Sequence, residues 1–239
     1  MTRAAICWRS RTMVRGVLAS FSLALAIALS ACGASASKDG AKSSYEVASD
    51  YAKGAADAPV VLIEYASITC PHCKTFHDNV YPVLEEKFIK TGKLRFVFRE
   101  SPTAPAVLAF AGFSTMRCAA EKAGGGDTYY AVLDDLFDNQ PAIFEAAQSP
   151  TGARGILLDI AKRGGLTEEE FNACIADNAK RELVLSIARD GEAKYKIAGT
   201  PSLVLNGESL KTAADYTAEG LSKRIEGLLA GEAATAPAQ

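Results

Sequence analysis

Histidine is almost missing from this chain: His72 and His77 are the only two in 239 residues. A catalytic centre assembled from several imidazole ligands is therefore excluded. Neither sign of charge dominates, with 26 Lys plus Arg against 28 Asp plus Glu and a formal net charge of −2. Without a basic run there is no electrostatic footprint for nucleic acid, and that class of partner is set aside. The apolar stretch Gly16 to Leu29 is too short for a comfortable membrane span, which takes about 20 residues. No internal repeat is visible. The bulk composition, 49% apolar and 23% charged with 19 Gly and 9 Pro, belongs to a globular protein with room for one or two domains and a sizeable core.

What is present begins with a targeting pattern. Arg3, Arg9, Arg11 and Arg15 form a positive stretch without an acidic residue, and the short apolar run follows. Together they read as a secretory signal over residues 1–31. It ends in Leu29-Ser30-Ala31-Cys32, which resembles a bacterial lipobox, small residues before a cysteine that becomes the lipid-bearing N-terminus. The expectation is lipidation at Cys32 and a periplasm-facing protein held to the membrane by that lipid; ordinary signal cleavage with Cys32 incidental is the alternative. Gly33 to Ser44 is Ala, Ser, Gly and Lys without hydrophobic periodicity, so residues 32–44 read as a flexible tether. Of six Cys, Cys7 leaves with the signal. Cys70, Cys73, Cys118 and Cys174 then remain beside Cys32 in a compartment where disulfides persist.

After Asp57-Ala58-Pro59, the run Val60-Val61-Leu62-Ile63-Glu64-Tyr65 predicts a strand buried on both faces. Ser67 to Cys70 turns the chain into a helix, on which Phe76, Val80, Val83, Leu84 and Phe88 make one apolar stripe that Gly92 ends. Leu94 to Phe98 is the next strand, and strand, helix and strand with short joins predict a parallel pair. From residue 104 to 195 strand signals vanish. Stripes at Val107, Phe110, Ala111, Ser114 and Cys118, at Tyr130, Leu133 and Phe137, at Ile156, Leu157 and Ile160, and at Val184, Ile187, Ala188 and Tyr195 predict successive helices. A capping box of Thr167 with Glu170 starts another, bearing Phe171, Cys174 and Ile175. Ser202 to Leu205, Asn206-Gly207 and Glu208 to Lys211 predict a tight hairpin. A last helix carries Leu221, Ile225, Leu228 and Leu229, and the Ala/Pro tail 232–239 reads as disordered. The organisation is therefore a split α/β domain over 45–103 and 196–231, with an all-helical insert over 104–195.

Cys70-Pro71-His72-Cys73 carries the chemistry. A Cys-x-x-Cys pair directly after a buried strand and at the start of an amphipathic helix is in a redox-active context. Unpaired N–H groups and the dipole at the helix start favour a negative Cys70 sulfur, and His72 is placed to favour it further. Cys70 is then the exchanging sulfur and Cys73, one turn further in, the resolving thiol. A stabilised reduced thiolate makes the disulfide a stronger oxidant. Glu64, in the middle of an apolar strand, is costly unless it has a task; proton exchange with Cys73 is that task, and a solvated edge position is the alternative.

At these residues the chain resembles the DsbA-like thiol-disulfide oxidoreductases, which have a thioredoxin fold interrupted by a helical domain. The resemblance covers roughly Tyr45 to Gly231. It rests on Glu64-Tyr65, the Cys70-Pro71-His72-Cys73 motif, Phe98-Arg99-Glu100, the helical insert, and Gly199-Thr200-Pro201 before the Asn-Gly hairpin. It implies that Pro201 is cis and lies beside the active-site sulfurs, that the Thr200 backbone pairs with the bound substrate, and that the acid beneath the motif is Glu64. It also implies oxidation of reduced exported proteins or peptides, without a cofactor, and reoxidation by a quinone-linked membrane partner of the DsbB type.

Other readings of the same residues stay beside this one. A reductase or isomerase kept reduced by another donor usually carries a dimerisation segment, and the tether has no heptads to build one; a monomer is expected. A non-catalytic thioredoxin-like module for binding envelope proteins is the rival from another class. Cys70, Cys73 and His77 have a spacing that could suggest zinc, but a structural site needs a fourth ligand, and His77 reads as an ordinary helix-surface residue. Cys118 and Cys174 lie on apolar faces of two insert helices; their even count suggests a pair, with isolated buried thiols as the alternative.

Overall fold

The computed structural model describes residues 43–231. The signal segment, Cys32, the tether up to residue 42 and the tail 232–239 lie outside the described residues. Strand β1 is Ala52–Lys53, β2 is Val60–Ala66 and β3 is Leu94–Glu100. Every residue of β2 is buried, as its unbroken apolar run requires of a strand covered on both faces. β2 and β3 pair in parallel, from Val60 opposite Leu94 to Ala66 opposite Glu100. Two further strands follow: β4 (Ser202–Leu205) pairs antiparallel with β2, and β5 (Glu208–Ser209) pairs antiparallel with β4. The sheet order is β1-β3-β2-β4-β5, which makes β2 central. Asn206 and Gly207 supply the two positive φ angles, 45° and 84°, that a two-residue hairpin needs.

The first helix departs from the expected single stripe. It runs as α1 (Pro71–Asn79), breaks at Val80, and resumes as α2 (Tyr81–Leu84) and a π-helical segment, Glu85–Ile89. Pro82 explains the break, because it has no N–H to give and its ring crowds the carbonyl four residues back. Between β3 and β4 lie α3 (Ala106–Ala123), α4 (Gly126–Asp138), α5 (Gln140–Ala147), α6 (Arg154–Arg163), α7 (Glu168–Ile175) and α8 (Asn178–Tyr195). The 3-10 segment Ala213–Tyr216 and α9 (Ala218–Leu229) follow β5. The capping box at the start of α7 is formed in both directions by Thr167 and Glu170. No described helix is long and apolar enough to cross a membrane.

In α3 the expected stripe is only part of the buried surface: Ser114 is buried, and Phe110, Ala111 and Cys118 are half-buried against the core. Leu108, Ala109, Gly112, Phe113, Met116, Ala119 and Ala120 face inward, whereas Val107 is 73% exposed. The helix is apolar over most of its circumference, so periodicity alone did not choose the face; α4, α6 and α7 pack against it and do. Phe110, on the expected stripe, also lies under the Arg181 guanidinium, 4.4 Å from the ring centre. Cys118 of α3 and Cys174 of α7 are disulfide-bonded.

The two faces of β2 have different partners. Leu62 and Ala66 join a core that continues through α1, α4 and α9, while Val61, Ile63 and Tyr65 pack with Ile187 and Tyr195 of α8. Residue alternation therefore places Glu64 on the α1 face. On the α8 face, a methyl group at Gly191 would overlap the Tyr65 ring at Cε1. The Tyr65 ring cannot swing freely, since its hydroxyl accepts a 2.7 Å hydrogen bond from Arg99, which is itself paired with Asp50 at 2.7 Å. Gly191→Ala is expected to lower stability by about 1–2 kcal/mol, the overpacking outweighing the gain in helix propensity. A urea midpoint unchanged or raised in this variant would show that Tyr65 yields.

Candidate active site around Cys70 and Cys73

β2 ends at Ala66, and a short loop, Ser67 to Thr69, delivers Cys70 to the N-cap of α1 with Pro71 at its first turn. Proline is at home there, because the first N–H groups of a helix have no intrahelical partner in any case. The loop is braced by hydroxyls, Ser67 with Thr69 at 2.9 Å and Thr69 with Thr103 at 2.9 Å. Buried Gln140 of α5 donates to the carbonyls of Ile68 (2.7 Å) and Cys70 (3.2 Å). Sequence reasoning missed Gln140, and no local signal marks a residue that acts 70 positions away.

Cys70 and Cys73 are both free thiols, 7% and 0% exposed. The Thr200–Pro201 bond is cis and reaches the motif from 130 residues away: the Cys70 thiol donates to the Thr200 carbonyl at 3.3 Å. The Cys70 thiol is pulled down to about 5. The hydrogen bond from the Cys73 thiol is the largest cause; burial opposes it, and the Thr200 side chain and the backbone N–H groups of Cys73 and His72 add to the lowering. Cys73 moves the other way, pushed up by burial first, then by its hydrogen bond to Cys70 and by the charge of Glu64. One sulfur is held ready as a thiolate while the other keeps its proton.

The imidazole of His72 is exposed, at the rim of an open groove of about 520 Å³ whose walls include Phe76, Val80, Pro201 and Tyr216. His77 requires a correction. It is not on the surface but 8% exposed, and its Nε2 lies 3.0 Å from Glu64 Oε2. Its ring stacks on Phe137 (4.3 Å) and Tyr81 (5.0 Å). A signal for this existed: Cys73, His77 and Tyr81 are spaced i, i+4, i+8, so a buried thiol at the first position points the next two inward. Glu64 is fully buried, with Oε1 lacking a hydrogen-bond partner. His77, one of the three residues with zinc-like spacing, is turned to Glu64, and of the possible fourth ligands Cys118 and Cys174 are bonded to each other, which leaves His72. Among the described residues no group of three His, Cys, Asp or Glu side chains could hold a metal.

A Cys-x-x-Cys pair at a strand-to-helix junction, opposed by a cis X-Pro bond on a sheet with helices on both faces, defines the thioredoxin class. The chain belongs to that family, whose model, described as Thioredoxin, matches residues 46–226. Within the class it is DsbA-like: a thioredoxin-like fold with helices α3 to α8 set between β3 and β4. It is similar to a Rickettsia bellii protein named "Putative protein-disulfide oxidoreductase", 28% identical over 177 residues, 74% of this chain and 63% of that one. The chain thus spans a little under two thirds of the length of that relative. It is also similar to Disulfide bond formation protein D of Bacillus subtilis, 26% identical over 181 residues, 73% of this chain and 76% of the other. In fold it resembles Wolbachia pipientis alpha-DsbA1, with a TM-score of 0.66 at 24% identity, covering 78% of this chain and 94% of that one.

Proposed function

We propose that the protein is a cell-envelope thiol-disulfide oxidoreductase that introduces disulfides into exported proteins through Cys70 and Cys73. The observation that carries this reading is the placement of the two free sulfurs: Cys70 at the start of α1, 3.3 Å from the carbonyl of the cis Thr200–Pro201 bond, and Cys73 fully buried one turn further in; in keeping with it, the Cys70 thiol is lowered to about 5 and Cys73 is raised by burial. A thiolate stabilised in the reduced protein makes the disulfide form the better oxidant. In the oxidised protein, a substrate thiolate attacks Cys70 Sγ, the Cys70–Cys73 bond breaks, and Cys73 leaves as a thiolate that takes a proton. A second substrate thiolate then attacks the substrate sulfur of the mixed disulfide; the substrate disulfide forms and Cys70 leaves as its stabilised thiolate.

The Thr200 backbone would pair with an extended substrate segment, Pro201 would pack beside it, and the groove next to Cys70 would take its apolar side chains. The His72 imidazole at the groove's rim adds to the stabilisation of the Cys70 thiolate that the backbone N–H groups begin. Reoxidation falls to a quinone-linked membrane oxidase of the DsbB type. A secretory signal over 1–31 and a lipid on Cys32 would hold the protein at the membrane, facing the periplasm as a monomer.

The test is to mix the oxidised protein with a reduced, unfolded substrate that needs several disulfides. The expected result is disulfide formation in the substrate with matching reduction of Cys70 and Cys73. Reduction of substrate disulfides by the dithiol form without any oxidation would make it a reductase. Binding with no change in thiol content would make it a non-catalytic module.

A further inference from the structure

Beneath the sulfurs lies a pair of ionisable groups that the exchange chemistry above uses only in part. Glu64 and His77 are both buried and joined by a 3.0 Å contact, Oε2 to Nε2. The other carboxylate oxygen, Oε1, has no hydrogen-bond partner. Burying a carboxylate costs several kcal/mol unless it is paired, and one left alone answers by holding its proton. The His77 ring is clamped between Phe137 and Tyr81 and meets Phe96 and Phe98 edge-on, so its nitrogen has a fixed direction.

We propose that His77 is the positioning residue of the resolving step: it holds the Glu64 carboxylate through Oε2 and leaves Oε1 free to take the Cys73 proton. This rests on the thiol-disulfide reading of the site. The step is the closure of the Cys70–Cys73 disulfide when a disulfide-bearing partner reoxidises the dithiol. Cys73 Sγ–H gives its proton to Glu64 Oε1, and the resulting thiolate attacks Cys70 Sγ of the mixed disulfide. The Cys70–Cys73 bond forms, the bond from Cys70 to the partner sulfur breaks, and the partner leaves as a thiolate with both electrons. In the reverse direction Glu64 returns the proton to departing Cys73.

The other ionisable groups around the pair do not compete for this role. Tyr81 of α2 faces both Glu64 and the imidazole, Tyr130 of α4 and Tyr216 of the 3-10 segment face Glu64, and burial raises all three phenols so that they stay neutral. Asp134 of α4 is the acidic group that feels His77 from outside, with Lys53, Glu85 and Asp138 around it.

His77→Phe and His77→Gln separate positioning from packing. Phenylalanine suits the aromatic box but offers Glu64 no hydrogen bond, whereas glutamine keeps a donor and loses the ring. The reduced protein is reacted with oxidised glutathione, and the two steps, formation of the Cys70–glutathione disulfide and its closure by Cys73, are timed by acid quench, alkylation and mass spectrometry across pH. The expected result is an unchanged first step in both variants. Closure should slow about tenfold at neutral pH in His77→Phe, its pH midpoint moving up by about one unit, and should return to within about threefold of the parent in His77→Gln. Added to Glu64→Gln, the His77→Phe change should have no further effect on closure. Closure in His77→Phe with the parent's rate and pH midpoint, or loss in His77→Gln as large as in His77→Phe, would overturn the proposal. A parent protein that forms no glutathione adduct would instead overturn the thiol-disulfide reading itself, so the two failures are distinguishable.

Discussion

Cys70→Ser is expected to abolish disulfide exchange, leaving substrate oxidation at the uncatalysed background. Cys73→Ser should instead accumulate a mixed disulfide between Cys70 and the substrate. The two outcomes differ because the two sulfurs stand in different places. Cys70 is the N-cap of α1, in reach of the Thr200 carbonyl at 3.3 Å, and its thiolate is favoured by donors from Cys73, Thr200 and the helix start. A hydroxyl at position 70 offers no comparable nucleophile or leaving group. Cys73 is fully buried one turn further on, out of reach of a substrate sulfur, and on the proposed reading it closes on Cys70. A serine at position 73 still donates a hydrogen bond to the Cys70 sulfur, so adduct formation survives while its resolution is lost. Non-reducing gels and intact mass of reaction mixtures read both results. Equal turnover by Cys70→Ser and the parent would remove the assignment.

Loss of the Cys118–Cys174 bond should bring the largest change in stability. The bond closes a loop with a sequence separation of 56 and fastens α7 to α3 in the middle of the helical layer. By the chain-entropy account such a loop is worth up to about 4 kcal/mol, and any native strain lowers the figure. With roughly 2–4 °C of Tm per kcal/mol for a domain of this size, Cys118→Ala combined with Cys174→Ala should melt about 8–16 °C lower. The pair lies outside the Cys70 site, so reaction of Cys70 with glutathione should be unaltered at temperatures where the variant is folded. A Tm within about 2 °C of the parent would show that packing between α3 and α7 carries the insert without the bond.

The strands and the motif were legible because each is written locally. β2 is an uninterrupted apolar run, the hairpin is announced by Asn206-Gly207, and α7 by Thr167 and Glu170. Contacts between distant segments were not. The site takes Gln140 from α5 to brace the loop before Cys70, and nothing near Gln140 says so. β1 is two residues long, too short for any alternation to register. The inward face of α3 was only partly legible, with Val107 exposed, because the helix is apolar enough around its circumference that periodicity does not single out one face. His77 is the instructive case: a polar residue on a short helix is ordinarily solvated, and only the carboxylate rising from β2 beneath it makes burial tolerable. Its spacing from Cys73 held the clue, which has meaning once Cys73 is known to be buried.

The central claim is that the fold stabilises the Cys70 thiolate, and titrating that thiol tests it most directly. Because the only tryptophan, Trp8, falls in the expected signal segment over 1–31, alkylation rate followed by mass spectrometry is the suitable readout. The predicted midpoint is about 5, against an ordinary cysteine value near 9. The sign of the linkage follows. The folded value is depressed, so the thiolate's contribution to the reduced protein is complete above the unfolded thiol's pKa, shrinks through the neutral range, and is lost as pH falls through about 5. The reduced protein should therefore gain stability relative to the disulfide form as pH rises from about 5 toward 9. A Cys70 midpoint in the ordinary range, about 8.5, would contradict the account.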